Sequence, residues 1–157
     1  MAEEQKKMAI ISIHGTLDMA YPPLILASTA AALDIESAIF FTFYGLQILR
    51  KDAGDSLKVA PLGNPAMPMP VPNLIGALPG MTAMATSMMK SMIKKNGVAT
   101  IPELISLCQE TNVRLIACQM TMDLFSFKKE DMLDGLEYAG AASFVEYAAN
   151  ADIHLAF

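Results

Sequence analysis

The sequence has no tryptophan, two histidines and two cysteines in 157 residues. Two cysteines cannot build the disulfide framework of a small secreted domain. No C-x-x-C element or metal-ligand spacing of cysteine and histidine is present, so neither a dithiol redox motif nor a structural metal cluster is expected. Basic residues are also scarce: eleven Lys and Arg against sixteen Asp and Glu leave a net charge of −5. Such a chain has no cationic stripe to displace the counterions of a nucleic acid, and nucleic-acid binding is excluded. There is no G-x-G-x-x-G run after the first strand and no phosphate-loop lysine, which leaves a nucleotide cofactor unsupported. Neither cofactor nor metal is expected. The first residues, Met1-Ala2-Glu3-Glu4-Gln5-Lys6-Lys7, lack the apolar run of a signal peptide, and the expected location is the reducing cytoplasm.

Apolar residues, by contrast, make up 54% of the chain, and thirteen are methionine. A chain of this kind fills a core with apolar surface left over, which points to a homo-oligomer or to peripheral contact with a membrane. The longest uncharged stretch, 59–89, exceeds the about 20 residues of a membrane span. It carries Pro61, Pro65, Pro68, Pro70, Pro72 and Pro79, however, and prolines at that density forbid one continuous spanning helix. The expected organisation is a single domain over 1–157 with a Pro/Met-rich excursion at about 59–95.

Periodicity predicts an α/β chain. Met8 to Ile13 reads as a buried strand ending at His14-Gly15, followed by a helix over 19–33 with Asp18 as its cap. Ala38 to Tyr44 is a second strand, and Leu46 to Arg50 begins another helix. Met81 to Lys95 is helical, with Met81, Met84, Ala85, Met88 and Met92 on the face expected to be buried, partly between subunits. Thr100-Ile101-Pro102-Glu103 is a capping box opening a helix to about Glu110. Val113 to Cys118 is a third strand, Ser126 caps a short helix through Leu133, and Leu136 to Ala139 is a weak strand. A helix over 141–149 and a strand over 153–156 complete the chain. Five strands alternating with helices make an open, mostly parallel sheet, whose ligand crevice lies beyond the carboxyl ends of its strands. That rule selects His14 to Asp18, Tyr44-Gly45, and Cys118 to Asp123.

Cys118 is the sharpest chemical candidate. At the end of a strand, its thiol can meet N–H groups of the following turn, which stabilise a thiolate. The competing reading is a small hydrophobe that ends a core strand. His14 is either a proton donor, a polarising group or partner for the thiolate, or simply a surface residue. Asp18 is a helix cap or a polar wall, and Asp123 either orders the turn after Cys118 or faces water. Tyr44, Gln119 and Met120 complete the candidate wall. Cys108 falls late in the preceding helix, too far from Cys118 for a disulfide, and is expected to pack in the core. His154 is expected to be structural. The methionines, Met67, Met69 and Met122 among them, suit packing or docking better than a copper site.

Three segments carry a resemblance: Phe40-Phe41-Thr42-Phe43-Tyr44-Gly45-Leu46, Arg50-Lys51-Asp52, and Leu115-Ile116-Ala117-Cys118-Gln119-Met120-Thr121-Met122-Asp123. Lys128-Lys129-Glu130-Asp131 and Asp134-Gly135-Leu136-Glu137-Tyr138 fit as well. With these the chain resembles the DsrE/DsrF-like superfamily, in its DsrE2-like, peroxiredoxin-associated or sulfurtransferase-type branch. The resemblance implies a three-layer α/β/α sandwich with a five-stranded parallel sheet in order 4-3-2-1-5, and assembly into homo-oligomers. It also implies sulfur trafficking, with Cys118 at the position of the cysteine that accepts a persulfide; Cys108 matches no family motif. The expected function is therefore a sulfur carrier or sulfurtransferase-like protein served by sulfur donor and acceptor proteins. The alternative is a small-ligand-binding, structural or peripheral-membrane protein without sulfur chemistry.

Overall fold

The computed structural model describes residues 5–60 and 77–157. Residues 61–76 of the Pro/Met-rich excursion, with Met67 and Met69, lie outside them. The strands are β1 (Lys7–Ser12), β2 (Glu36–Phe41), β3 (Arg114–Cys118), β4 (Glu137–Ala139) and β5 (Ile153–Ala156). They form one sheet in the order β4-β3-β2-β1-β5, and every pair is parallel. The helices are α1 (Leu17–Ala32), α2 (Ala53–Ser56), α3 (Met81–Lys95), α4 (Ile101–Glu110), α5 (Gln119–Leu124) and α6 (Ala141–Ala148), with a 3₁₀ segment over Phe43–Leu49. None of the helices among the described residues is long and apolar enough to cross a membrane.

Alternate strand residues face opposite sides of a sheet, and the core divides accordingly. Met8, Ile10, Ile39, Phe41, Leu115 and Ala117 pack with Leu24 and Ala27 of α1 and Leu104, Ile105 and Cys108 of α4. The other face holds Ala9, Ala38, Phe40, Ile116 and Cys118 under Phe144 of α6, whose ring stacks on Phe40 at 4.9 Å between centroids. The sheet is therefore covered thickly on one side and by a short helix on the other.

Helix ends account for most departures from the sequence reading. The predicted capping box forms: Thr100 N–H donates to Glu103 Oε2 at 2.6 Å and Glu103 N–H to Thr100 Oγ1 at 3.5 Å. Asp18 does not cap α1, which begins a residue earlier with Thr16 at its N-cap; Asp18 lies exposed in the first turn, and Leu17 N–H donates to Lys58 O at 2.8 Å. No helix runs from Ser126 to Leu133. Ser126 instead closes α5 with φ +54, its N–H donating to Asp123 O and that of Phe127 to Met122 O, and one 3₁₀ turn over Lys129–Asp131 follows. This paired ending satisfies carbonyls left over at the helix terminus. Within one chain α3 turns only part of the predicted face inward, Ala85 packing against the core. Thr86 is buried, donating to Thr82 O at 2.7 Å and accepting from Val59 N–H at 3.1 Å, while Met84 (56%), Met88 and Met92 are exposed. The two hydrogen bonds anchor the threonine side of the helix, which hydrophobic periodicity does not register.

Candidate functional site

Parallel strands bring their carboxyl ends to one edge of the sheet. There Phe41 pairs with Ala117, and Cys118 with Ala139. One step beyond the Phe41 pair, Thr42 continues in extended conformation beside Cys118 on the same face. Its N–H donates to Ser12 O at 3.0 Å, tying the end of β2 to the end of β1. Two glycines let the adjoining loops meet: a Cβ on Gly15 would overlap the Tyr44 carbonyl, and one on Gly45 the Ser12 carbonyl. Gly45 N–H donates to Ile13 O at 2.7 Å.

β3 runs directly into α5, so Cys118 occupies the N-cap position of that helix. The first N–H groups of a helix have no partner within it. Cys118 makes no side-chain cap hydrogen bond of its own, but the N–H groups of Met120 and Thr121 and the hydroxyls of Thr121 and Thr42 lie close enough to favour its thiolate. The two hydroxyls also bond each other, at 3.1 Å between oxygens, and Phe43 N–H donates to Thr121 Oγ1 at 3.1 Å. Burial is the largest influence on the Cys118 thiol and pushes its pKa up, but the hydrogen bonds together outweigh it and hold the thiol below its ordinary 9.0.

The predicted wall residues reach this edge, but the expected open crevice does not form at the sulfur. Cys118 is 3% exposed, packed with Phe40, Ile116 and Phe144, because α6 closes over that face. The cover is thin along the chain: Gln119 is half-buried and Met120 is 58% exposed. Tyr44 is 61% exposed, stacked on Phe125 at 5.8 Å. His14 and Asp18 are exposed, and the groups that favour the Cys118 thiolate are Thr121, Thr42 and the Met120 backbone rather than His14. Gln119 Nε2 donates to Asp123 Oδ1 at 3.0 Å, so Asp123 braces α5 through a side chain one turn away. His154 bonds Ala148 O at 2.7 Å, a structural contact.

Cys108 lies on the opposite face, fully buried, its Sγ–H donating to Leu24 O at 3.5 Å; burial pushes its pKa up to about 12. Both cysteines are free. Among the described residues no group of three His, Cys, Asp or Glu side chains is placed to hold a metal ion. Sequence reasoning missed Thr42 and Thr121. The signal was present in the Cys118–Thr121 spacing, which is that of an N-cap residue and its N3 partner.

An all-parallel α/β fold that keeps a buried thiol at the carboxyl edge of its sheet defines a thiol-bearing α/β protein. Residues 4–156 match the DsrE/DsrF/DrsH-like family, and the chain belongs to that family. It is 59% identical to a protein of Allochromatium vinosum named sulfur carrier protein DsrE2, over 97% of this chain and 98% of that one. It is 34% identical to the uncharacterized protein YrkE of Bacillus subtilis, over 99% of both. The crystal structure of the ychN protein from E. coli covers 98% of this chain and 100% of its own with a TM-score of 0.53 and 13% identity, which shows a shared fold.

Proposed function

We propose that this protein is a sulfur carrier whose cargo rides on Cys118. The Cys118 thiolate attacks the terminal sulfur of a donor persulfide; a new S–S bond forms at Cys118, the donor S–S bond breaks, and the donor leaves as a thiolate. A thiolate of an acceptor protein then takes the terminal sulfur and regenerates Cys118. Each exchange is isoelectronic, the sulfane sulfur moving with its proton, and requires no outside oxidant. The observation that carries the reading is Cys118 at the N-cap of α5, at the carboxyl edge of the sheet, in a chain 59% identical to a named sulfur carrier. Movement of the exposed Met120 side chain admits the partner. The chemistry belongs in a reducing compartment, where both thiols stay free.

Incubation with a sulfane donor followed by mass spectrometry should give an adduct of about 32 Da, one sulfur atom, on Cys118. Cys118→Ser should abolish it with the circular dichroism spectrum intact. Loading that survives this substitution moves the chemistry elsewhere and defeats the reading. The exposed row of Met84, Met88 and Met92 supplies apolar surface for a homo-oligomer, and a monomer by light scattering at micromolar concentration would remove that part.

A further inference from the structure

Four non-glycine residues among the described ones have positive φ: Asp34, Phe43, Asn112 and Ser126. Three of them end helices alike. After α1, α4 and α5 the residue past the cap turns left-handed, and its N–H and that of the next residue return to the last helical carbonyls. Phe43 belongs to no such ending. It follows β2 with φ +47, a backbone region that bulky residues rarely occupy. What this turn accomplishes is visible in its N–H, which is delivered to Thr121 Oγ1 at 3.1 Å.

That contact fixes the proton arithmetic of the Thr42–Thr121 couple. A hydroxyl has one proton to give and two lone pairs to fill. Phe43 N–H fills a lone pair on Thr121, and the hydrogen bond between the two hydroxyls uses one of their two protons. Whichever oxygen donates within the couple, the other keeps a proton. Thr42 follows Phe41, which pairs with Ala117, and Thr121 is the third residue of the helix that Cys118 caps, so both lie next to Cys118.

We propose that Thr42 and Thr121 are positioning residues for Cys118, a hydroxyl couple locked by the Phe43 N–H so that one O–H is always left over for the sulfur. The assignment rests on the sulfur-carrier reading for its biological purpose, although its physical content concerns the thiol alone. An anionic sulfur accepts that O–H whether the couple points one way or the other. The couple can therefore reverse when charge shifts from the cysteine sulfur to a bound terminal sulfur. No charged side chain is needed. Cys118 belongs to the apolar cluster that holds Phe40 of β2, Ile116 of β3 and Phe144 of α6, and the ionisable groups of this edge, His14, Asp18 and Asp123, are all exposed.

The test is the pH profile of Cys118 alkylation by iodoacetamide in full-length protein carrying Cys108→Ala. Thr121→Val should move the midpoint upward by about one unit. At pH 7 the rate should fall about threefold, because a tenfold loss of thiolate is partly offset by the greater nucleophilicity of a more basic sulfur. Thr121→Ser, which restores the hydroxyl, should return the parent profile, whereas a merely structural threonine would not discriminate between hydroxyl and methyl in this way. Thr42→Val should shift the profile in the same direction, and it decides the question if Thr121→Val does not fold. Valine variants that fold and titrate like the parent overturn the proposal. Sulfane loading is measured in parallel. A shifted profile with no adduct in the parent removes the carrier reading and keeps the hydroxyl couple; an adduct with unshifted valine profiles does the reverse.

Discussion

Cys108 and Cys118 sit ten residues apart, one late in α4 and the other closing β3, and both are nearly inaccessible to water. Their thiols nevertheless move in opposite directions. Cys108 is pushed up to about 12 by burial, and its own hydrogen is spent on the Leu24 carbonyl. Cys118 is held below its ordinary value because donors of the α5 turn and the end of β2 reach its sulfur. A carbonyl neighbour favours the protonated sulfur and a donor neighbour the anionic one. The contrast teaches that burial alone does not sort a structural cysteine from a reactive one; the polarity of the groups facing it does.

The largest effect this contrast predicts is in thiol labelling. In native protein at pH 8, iodoacetamide should label Cys118 at least about a thousandfold faster than Cys108, whose sulfur is reached only through extensive opening. Peptide mapping checks this, and comparable rates at both sites would erase the distinction. The next concerns alkaline stability. Cys108 keeps its proton in the folded state up to about 12, whereas in the unfolded chain it loses it near 9.0. The unfolded state therefore binds fewer protons between these values. Stability of the parent should fall relative to Cys108→Ala by about 1.4 kcal/mol per pH unit through that window, with no difference in slope below it. Urea midpoints across the window measure it. The smallest effect separates the scaffold from the donors. Gly45→Ala should cost about 2 kcal/mol, because its Cβ meets the Ser12 carbonyl and neither backbone can yield. It should also lower Cys118 labelling by pulling Thr42 out of line; an unchanged urea midpoint would show that the loops are not locked together.

Strand order and the candidate edge were legible for physical reasons that differ. The runs Met8–Ile13, Ala38–Tyr44 and Val113–Cys118 are largely apolar, as strands covered on both faces require, so β1, β2 and β3 fall where expected within a residue or a few. The order 4-3-2-1-5 came through family resemblance, since apolar runs do not encode which neighbours pair. Cys118 was legible because it ends a strand at the edge where such sheets carry their chemistry. The donors around it were not. Thr42 and Thr121 lie 79 residues apart in the chain, and their 3.1 Å contact exists through the register of β2 against β3. Ser126 misled because a serine before a polar stretch reads as a helix start, and its left-handed backbone depends on how α5 ends. The α3 face misled because Thr86 counts as polar in any periodicity, while its hydroxyl is satisfied by Thr82 and Val59.

The meeting of Gly15 with Tyr44 and of Gly45 with Ser12 has a mechanical consequence. Two loops whose main chains touch in this way should move together as one stiff jaw. Opposite them is the short α5 turn, with exposed Met120 on its outer side. Hydrogen–deuterium exchange should therefore be slow and concerted at residues 12–16 and 42–46 and faster at 119–124, so that breathing toward the sulfur has a built-in direction.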